Sequence, residues 1–355
     1  MSVQQKNIKR KIERNCVVEV LLDDKIDEDI QAILKPMNTL EVLSFYPKYQ
    51  IKDNFITPNS KVYNLVYFFG TIGYVLISIV QLIPLYLDHQ QFETLLHVPY
   101  LYNALFSSMR FLANFTIGVL YSERNIRLVL TIQEVHRSLN DCNNSRSLIV
   151  RNWIFVLFFF SFCVTIYFIF EIIMGFYLID LGNAILVVFD FNLIYSIRVM
   201  QLLESKVVLW NDKAVKTEEF ENVDKKLHYE KMFNTFSKIL ECYDLYKMSF
   251  QFTILFFIVA LFTQALSYIL VFLILLMENN VKYKELTGVS IAMWLFKDFL
   301  MEKLLCENCE KFYKAVENTQ DTCAVILMSR CSDAVLPCRS FYSGFNLFSS
   351  FLRFI

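Results

Sequence analysis

Long apolar runs separated by short polar stretches divide the chain into six candidate membrane-spanning helices. Each run approaches the roughly 20 apolar residues that cross the hydrocarbon core of a bilayer. Because backbone polar groups cannot be left unsatisfied in lipid, each run is predicted to be helical. The predicted spans are 62–87, 95–121, 152–178, 179–203, 249–277 and 288–305. The pattern therefore predicts an all-α polytopic membrane protein.

The connection at 204–248 carries a helical pattern of its own. Its apolar residues recur on one helix face, at Met232, Phe236, Ile239, Leu240 and Tyr243. We expect the fourth and fifth helices to continue beyond the membrane around a turn near 216–225, and residues 299–331 predict a similar extension. These extensions either form a bundle or remain solvated. The apolar stripe favours a bundle, because it needs to be covered.

The distribution of Lys and Arg predicts the orientation of the chain. These residues number ten in 1–61, none in 88–94, five in 122–151, eight in 204–248 and two in 278–287. Because cytoplasmic connections carry the excess of positive charge, the N-terminus is predicted to be cytoplasmic. The predicted organisation is a cytoplasmic segment (1–61), a transmembrane bundle (62–305) and a cytoplasmic helical segment (306–355). A G-protein-coupled receptor has the opposite orientation.

Composition and motifs narrow the function classes. Hydrophobic residues make up 55% of the chain, charged residues 19%, and the net charge is -1, which gives no global field for nucleic acid. The seven glycines form no phosphate-binding loop, and no catalytic set is evident, so we expect neither an enzyme nor a cofactor. Cys306, Cys309, Cys323, Cys331 and Cys338 follow the last span. They indicate either a metal site or reduced thiols, and their spacing favours thiols over a metal site.

Ionisable residues inside predicted spans are functional candidates, because charge is costly at membrane depth. Arg110 and Asp190 lie at overlapping depths, which predicts an ion pair between them that fixes two helices. Glu171 faces either a vestibule or the headgroups. Arg198 lies at the cytoplasmic end of the fourth span and is expected to snorkel. Lys297 and Asp298 interrupt the sixth run and are interpreted as marking its inner end.

The outer halves of the spans hold the polar and aromatic residues from which a ligand pocket could be built. The alternative is that several of them form interhelical contacts or an interfacial aromatic belt. Tyr102 and Asn183 belong to this group. The candidate ligand-binding residues are Tyr100, Asn103, Tyr167, Glu171, Asp190, Gln264, Tyr268 and Trp294.

Two stretches give the chain a resemblance to the insect gustatory receptors, in particular the lepidopteran ones. Residues 34–68 resemble the family's polar N-terminus and pre-helix, and residues 306–345 resemble the link between its sixth and seventh helices. Their sequences are LKPMNTLEVLSFYPKYQIKDNFITPNSKVYNLVYF and CENCEKFYKAVENTQDTCAVILMSRCSDAVLPCRSFYSGF. The family's Thr-Tyr and Gln-Phe signature of the last helix has no match, so the seventh, pore-lining helix is expected to be missing or incomplete.

The resemblance implies a taste receptor of the plasma membrane that works as a ligand-gated cation channel. The implied partners are a small tastant such as a bitter plant compound, the lipid bilayer and other gustatory receptors in a homo- or hetero-tetramer. A small-molecule transporter remains an alternative, as does a non-conducting receptor subunit.

Overall fold

The computed structural model describes residues 25–43, 46–80, 94–139, 145–174, 181–216, 222–277 and 284–328. Within these ranges the chain is all-α apart from one short hairpin, which confirms the predicted fold class at that level. The helices are α1 (Glu28–Leu43), α2 (Lys61–Val80), α3 (Thr94–Leu120), α4 (Ser122–Ser138), α5 (Ser145–Met174), α6 (Leu181–Lys216), α7 (Asn222–Met277) and α8 (Lys284–Met328).

The hairpin lies between α1 and α2. Strand β1 (Gln50–Lys52) pairs antiparallel with β2 (Phe55–Thr57), with Lys52 opposite Phe55. The two turn residues, Asp53 and Asn54, have φ values of 53° and 63°, which two-residue hairpin turns require and which Asp and Asn tolerate. After the hairpin, the hydroxyl of Ser60 accepts a hydrogen bond from the backbone N–H of Tyr63 at 3.3 Å, which caps the start of α2.

Helix α2 has the inverse of a soluble helix's pattern. Its two buried residues are the polar Thr71 and Ser78, whereas apolar side chains such as Val62 and Phe69 are 71% and 64% exposed. A face of this kind is unfavourable in water but matches a lipid surface. At 20 residues, or about 30 Å, α2 also has the length of a span.

Part of the predicted membrane topology is supported by helices that are long and apolar enough to cross a membrane. Among the described residues, α2 and the Glu230–Ile274 part of α7 are long and apolar enough. The pair Ala104–Leu120 and Ser122–Ser138, bent by 60°, is a third if it is one span. The predicted spans at 152–178, 179–203 and 288–305 fall largely on α5, α6 and α8, and residues 175–180 between the first two lie outside the described ranges. The six-span topology therefore stays a prediction.

Helix α6 lies at the centre of the fold and packs against each of the other helices described here. Its partner over the greatest length is α8, and α7 pairs most extensively with α4. Because α6, α7 and α8 are 36, 56 and 45 residues long, each reaches from the apolar region into the polar end of the molecule.

The polar end holds the largest core of the structure. We call it the extension bundle: α1, the hairpin, α4, the start of α5, and the halves of α6, α7 and α8 that pack on them. The predicted stripe of α7 lies in this core, with Met232, Phe236, Ile239 and Tyr243 buried and Leu240 half-buried against it. The prediction that the extensions pack into a bundle is therefore confirmed within the described residues. Helix α6 ends at Lys216 and α7 begins at Asn222, and the predicted turn near 216–225 falls mostly outside those residues.

Candidate functional site

Four charged side chains lie together where α3, α6 and α8 meet, three of them buried and Arg110 half-buried. We call Arg110, Asp190, Lys297 and Asp298 the charge cluster, since all four line the same small space. The ammonium of Lys297 lies 2.5 Å from Oδ2 of Asp190 and 2.9 Å from Oδ1 of Asp298. Its side chain is 3% exposed, and those of the two carboxylates are 6% and 7% exposed. Two cations and two anions give the cluster a formal charge of zero, which a dry site requires.

A polar relay joins the charge cluster to α7. Nη2 of Arg110 donates a hydrogen bond to Oε1 of Gln264 at 2.9 Å, and Nε2 of Gln264 donates to the hydroxyl of Tyr268 at 2.7 Å. Gln264 and Tyr268 are one helical turn apart, so both project from the same face of α7. The relay therefore offers a hydroxyl, an amide and a guanidinium along one line.

Aromatic rings lie against both cations of the charge cluster. The ammonium of Lys297 lies 4.5 Å from the ring centre of Trp294, and the guanidinium of Arg110 lies 5.4 Å from that of Phe106. The ring of Tyr102 stacks on Phe106 at 5.5 Å, and its buried hydroxyl has no hydrogen-bond partner among the described residues. The arrangement therefore combines cation–π surfaces with an acceptor and donor that a bound molecule can use.

The enclosed space is small, about that of a single water molecule. Phe257, Ala260 and Leu261 of α7 close it on the apolar side. A larger molecule can enter only if α7 moves away from α3 or α8. Binding at this place is therefore tied to a change in helix packing.

The structure brings together four of the predicted ligand-binding residues. Asp190, Gln264 and Trp294 line the space, and Tyr268 is bound to Gln264. Tyr102, which belongs to the same group, stacks on Phe106, and the ring of Phe106 lies against the guanidinium of Arg110. The other predicted residues lie on α3, α5 and α6, but their side chains fall outside the described part of the structure: Tyr100, Asn103, Tyr167, Glu171 and Asn183.

The structure gives Asp190 a partner that the sequence analysis did not name, Lys297. The guanidinium of Arg110 lies in the same space and donates to Gln264, and its predicted ion pair with Asp190 stays a prediction. Lys297 and Asp298, which sequence reasoning put at a helix end, lie buried at the level of Asp190. Their signal in the sequence was the adjacent pair of opposite charges inside an otherwise apolar run.

A second buried polar group, which sequence reasoning missed, lies where the hairpin segment enters the bundle. The ammonium of Lys48 contacts the carboxylate of Glu41 and donates to Oδ1 of Asn192 at 2.7 Å. Nδ2 of Asn192 donates to Oδ1 of Asn114 at 3.0 Å, and the Lys48 ammonium lies 4.2 Å from the ring centre of Tyr195. Burial raises the pKa of the Glu41 carboxyl, and the charge of Lys48 opposes this shift. The only sequence signal was the presence of Asn in two predicted spans.

The described structure covers part of the group of cysteines that follows the last predicted span. Cys306 is exposed and Cys309 is half-buried in α8, both as free thiols, and Cys331 and Cys338 lie outside the described residues. Within the described ranges, no group of three or more His, Cys, Asp or Glu side chains is arranged to hold a metal ion.

Comparison of the chain with known protein families and with curated protein sequences finds no match.

Proposed function

We propose that this chain is a gustatory-type chemoreceptor, a ligand-gated cation channel of the plasma membrane that senses small tastants. The proposed topology has six spans and a cytoplasmic N-terminus, and the proposed assembly is a homo- or hetero-tetramer with other gustatory receptors. Two features support it: the resemblance of residues 34–68 and 306–345 to that family, and the exposed apolar faces of α2 and α7.

The observation that carries the proposal is the charge cluster with its relay to Tyr268. Ionisable groups this deeply buried among apolar helices are costly, and they mark ligand or ion pathways more often than structural contacts. The cluster is bounded by α3, α6, α7 and α8, so a molecule bound there contacts three helices, α6, α7 and α8, that also build the extension bundle.

The proposed mechanism follows from the size of the enclosed space. A tastant that reaches Gln264 and Trp294 must part the helices that now close on about one water molecule. A ligand that binds the parted arrangement more tightly than the closed one then stabilises the parted arrangement. The difference between the two binding free energies is the most by which it can shift the equilibrium between them. From Asp190 to the end of α6 the helix rises about 39 Å, which gives a rigid path from the site to the polar end.

The experiment is whole-cell recording from cells that express this chain, alone and with other gustatory receptors, against a panel of tastants that includes bitter plant compounds. For a tastant that evokes current, Gln264→Leu should raise the half-maximal concentration by about tenfold, because it leaves the bound ligand without a buried hydrogen-bond partner, which costs about 1–3 kcal/mol. The matched control is Gln251→Leu, an exposed glutamine on the same helix, which should leave the response unchanged.

Three results would contradict the proposal or part of it. If Gln264→Leu and Gln251→Leu changed the half-maximal concentration equally, Gln264 would not be part of the ligand site. Accumulation of a substrate driven by an ion gradient, without ligand-gated current, would favour the transporter. An N-terminal epitope stained on intact cells would overturn the topology, whereas current that requires a second receptor would make the chain a subunit of a mixed assembly.

A further inference from the structure

Arg198 on α6 is a buried cation whose charge no acidic group balances within the described structure. The residue is only 5% exposed. Its Nη2 donates to the backbone oxygen of Arg151 on α5 at 2.7 Å, and its Nη1 donates to the side-chain oxygen of Gln201. Both acceptors are neutral. The position of Arg198 was predicted to allow snorkelling, but a snorkelling arginine exposes its guanidinium, and this one does not.

The guanidinium also keeps unused hydrogen-bonding capacity. Arginine has five N–H groups, and the two contacts above leave three of them without an acceptor among the described residues, including the buried Nε. Within the same ranges, neither Arg198 nor Arg151 forms an ion pair, and the charge of Arg151 repels that of Arg198. Two adjacent cations without an anion are unfavourable, and a buried one strongly so. The missing component is negative.

The surroundings indicate what kind of anion would fit. The Arg198 guanidinium lies 4.2 Å from the ring centre of Phe155, and the apolar residues Ile154, Leu157 and Phe158 on the same helix are exposed. Arg151 is exposed on the side of α5 that leads to its N-terminus, where Arg146 is exposed as well. The place is thus a border between a lipid-like surface and a positive one, on the side that the charge distribution predicts to be cytoplasmic.

We propose that Arg198 and Arg151 form a site for a phosphate anion, with the headgroup of an acidic phospholipid of the cytoplasmic leaflet as its source. A guanidinium presents N–H groups in a fork that matches phosphate oxygens. Arg198 supplies the buried donors and Arg151 the exposed charge, while acyl chains lie along the apolar face of α5. Basic sites between helices on this side of a membrane are suited to such headgroups. The site is separate from the charge cluster and does not depend on the proposed receptor function.

The test uses the full chain purified in detergent and native mass spectrometry with added phosphatidic acid, phosphatidylserine or phosphatidylcholine. A parallel arm adds inorganic phosphate and measures the melting temperature. Arg198→Gln and Arg151→Gln remove one donor set each, and Arg198→Lys keeps the charge without the fork. The matched control is Arg127→Gln, an exposed arginine on α4. Size-exclusion profiles check that each variant folds. If Arg198→Gln does not fold, Arg151→Gln still tests the site, because Arg151 is exposed and its replacement should not disturb the core.

We expect the acidic lipids to bind more tightly than phosphatidylcholine, and Arg198→Gln and Arg151→Gln each to weaken that binding about tenfold or more. Arg198→Lys should lose less, and Arg127→Gln should lose nothing. The site would be overturned if acidic lipids bound no more tightly than phosphatidylcholine, or if Arg127→Gln weakened their binding as much as Arg198→Gln and Arg151→Gln do. Stabilisation by inorganic phosphate that depends on Arg198, without a preference for acidic lipid, would keep the anion site and overturn the lipid as its source.

Discussion

Replacement of Lys297 by Met is the sharpest test of the charge cluster. Met has nearly the volume and shape of the lysine stem, so the change removes a charge and leaves the packing. The ammonium of Lys297 lies within ion-pair distance of both Asp190 and Asp298, and both carboxylates are buried. The variant changes the formal charge of the cluster from zero to -1 and leaves those carboxylates without their closest counter-charge.

The size of the effect follows from the burial of the pair. Breaking a buried ion pair on one side costs about 3–5 kcal/mol, because a charge is left in a medium that solvates it poorly. For a chain of this length that is an apparent melting shift of about 5–10 °C. Adding Asp190→Asn to Lys297→Met restores a formal charge of zero. The double variant should therefore lose less than the sum of the two single losses, by about 2 kcal/mol or more.

The assay is thermal stability in detergent, followed by fluorescence-detected size exclusion after heating. The control is Lys303→Met on the same helix, where the side chain is 71% exposed and pairs with Glu307 at 3.6 Å, and the expected cost is under about 1 kcal/mol. A loss for Lys297→Met no larger than that for Lys303→Met would refute the electrostatic reasoning. So would a double variant whose loss equals the sum of the single losses.

Three further predictions address the extension bundle and its surroundings. Phe236→Ala empties a core position beside Trp210, whose ring centre is 5.1 Å away, and should cost about 3–5 kcal/mol of unfolding free energy, while the exposed Phe233→Ala should cost much less. A maleimide should modify the exposed Cys306 well before the buried Cys242; equal rates by peptide mass mapping would show that the core opens there. The paired hydrogen bonds of 2.7 Å from Arg137 lower the pKa of Asp27, so this pair contributes at neutral pH and its contribution is lost as the pH falls below about 4. Because both groups are substantially exposed, Asp27→Asn should cost under about 1 kcal/mol at pH 7 and nothing further in acid, as measured by melting temperature across pH.

The extension bundle could be predicted from the sequence because its signal is local. Met232, Phe236 and Ile239 repeat at the helical period, and such a stripe indicates both a helix and a face that needs cover. The break between α6 and α7 also had a local signal in the charged stretch after Lys216. Neither signal depends on knowing which distant helix provides the cover, and that is why the buried stripe could be predicted from the sequence alone.

The partner of Asp190 could not be predicted in the same way. Depth along a helix can be estimated from the sequence, and it placed Arg110 near Asp190, where the structure also has it. The pairing depends instead on how each helix is rotated about its axis. That rotation can be predicted only from an apolar stripe on one face, and a helix that is apolar on most sides has no such stripe. Lys297 was missed for a related reason, since a charge inside a long apolar run was taken as the end of the run.

The hydrogen-bond network of Lys48 could not be predicted from the sequence for a third reason. Lys48 precedes the first predicted span in a polar stretch, where a lysine is expected to be solvated. In the structure the hairpin segment turns back into the bundle, and the hydroxyl of Ser122, at the bend between α3 and α4, donates to the backbone oxygen of Lys48 at 2.8 Å. The burial of Lys48 therefore results from a tertiary contact between segments 74 residues apart, which no local pattern encodes.

The neutrality of the charge cluster narrows the ligand that the proposed receptor would accept. A charged ligand would either add an unbalanced charge to a dry site or have to separate Lys297 from Asp190, and both are costly. A neutral ligand avoids that cost and can exchange hydrogen bonds with Gln264 and Tyr268 while a ring or ring-like skeleton lies against Trp294. Such a ligand displaces at most about one water molecule, so most of its volume must be created by movement of the helices. The energy for that movement has to come from the ligand's own contacts in the parted state, which makes apolar volume with a few hydrogen-bonding groups the expected tastant chemistry, and makes small ions such as sodium or chloride poor candidates for this site.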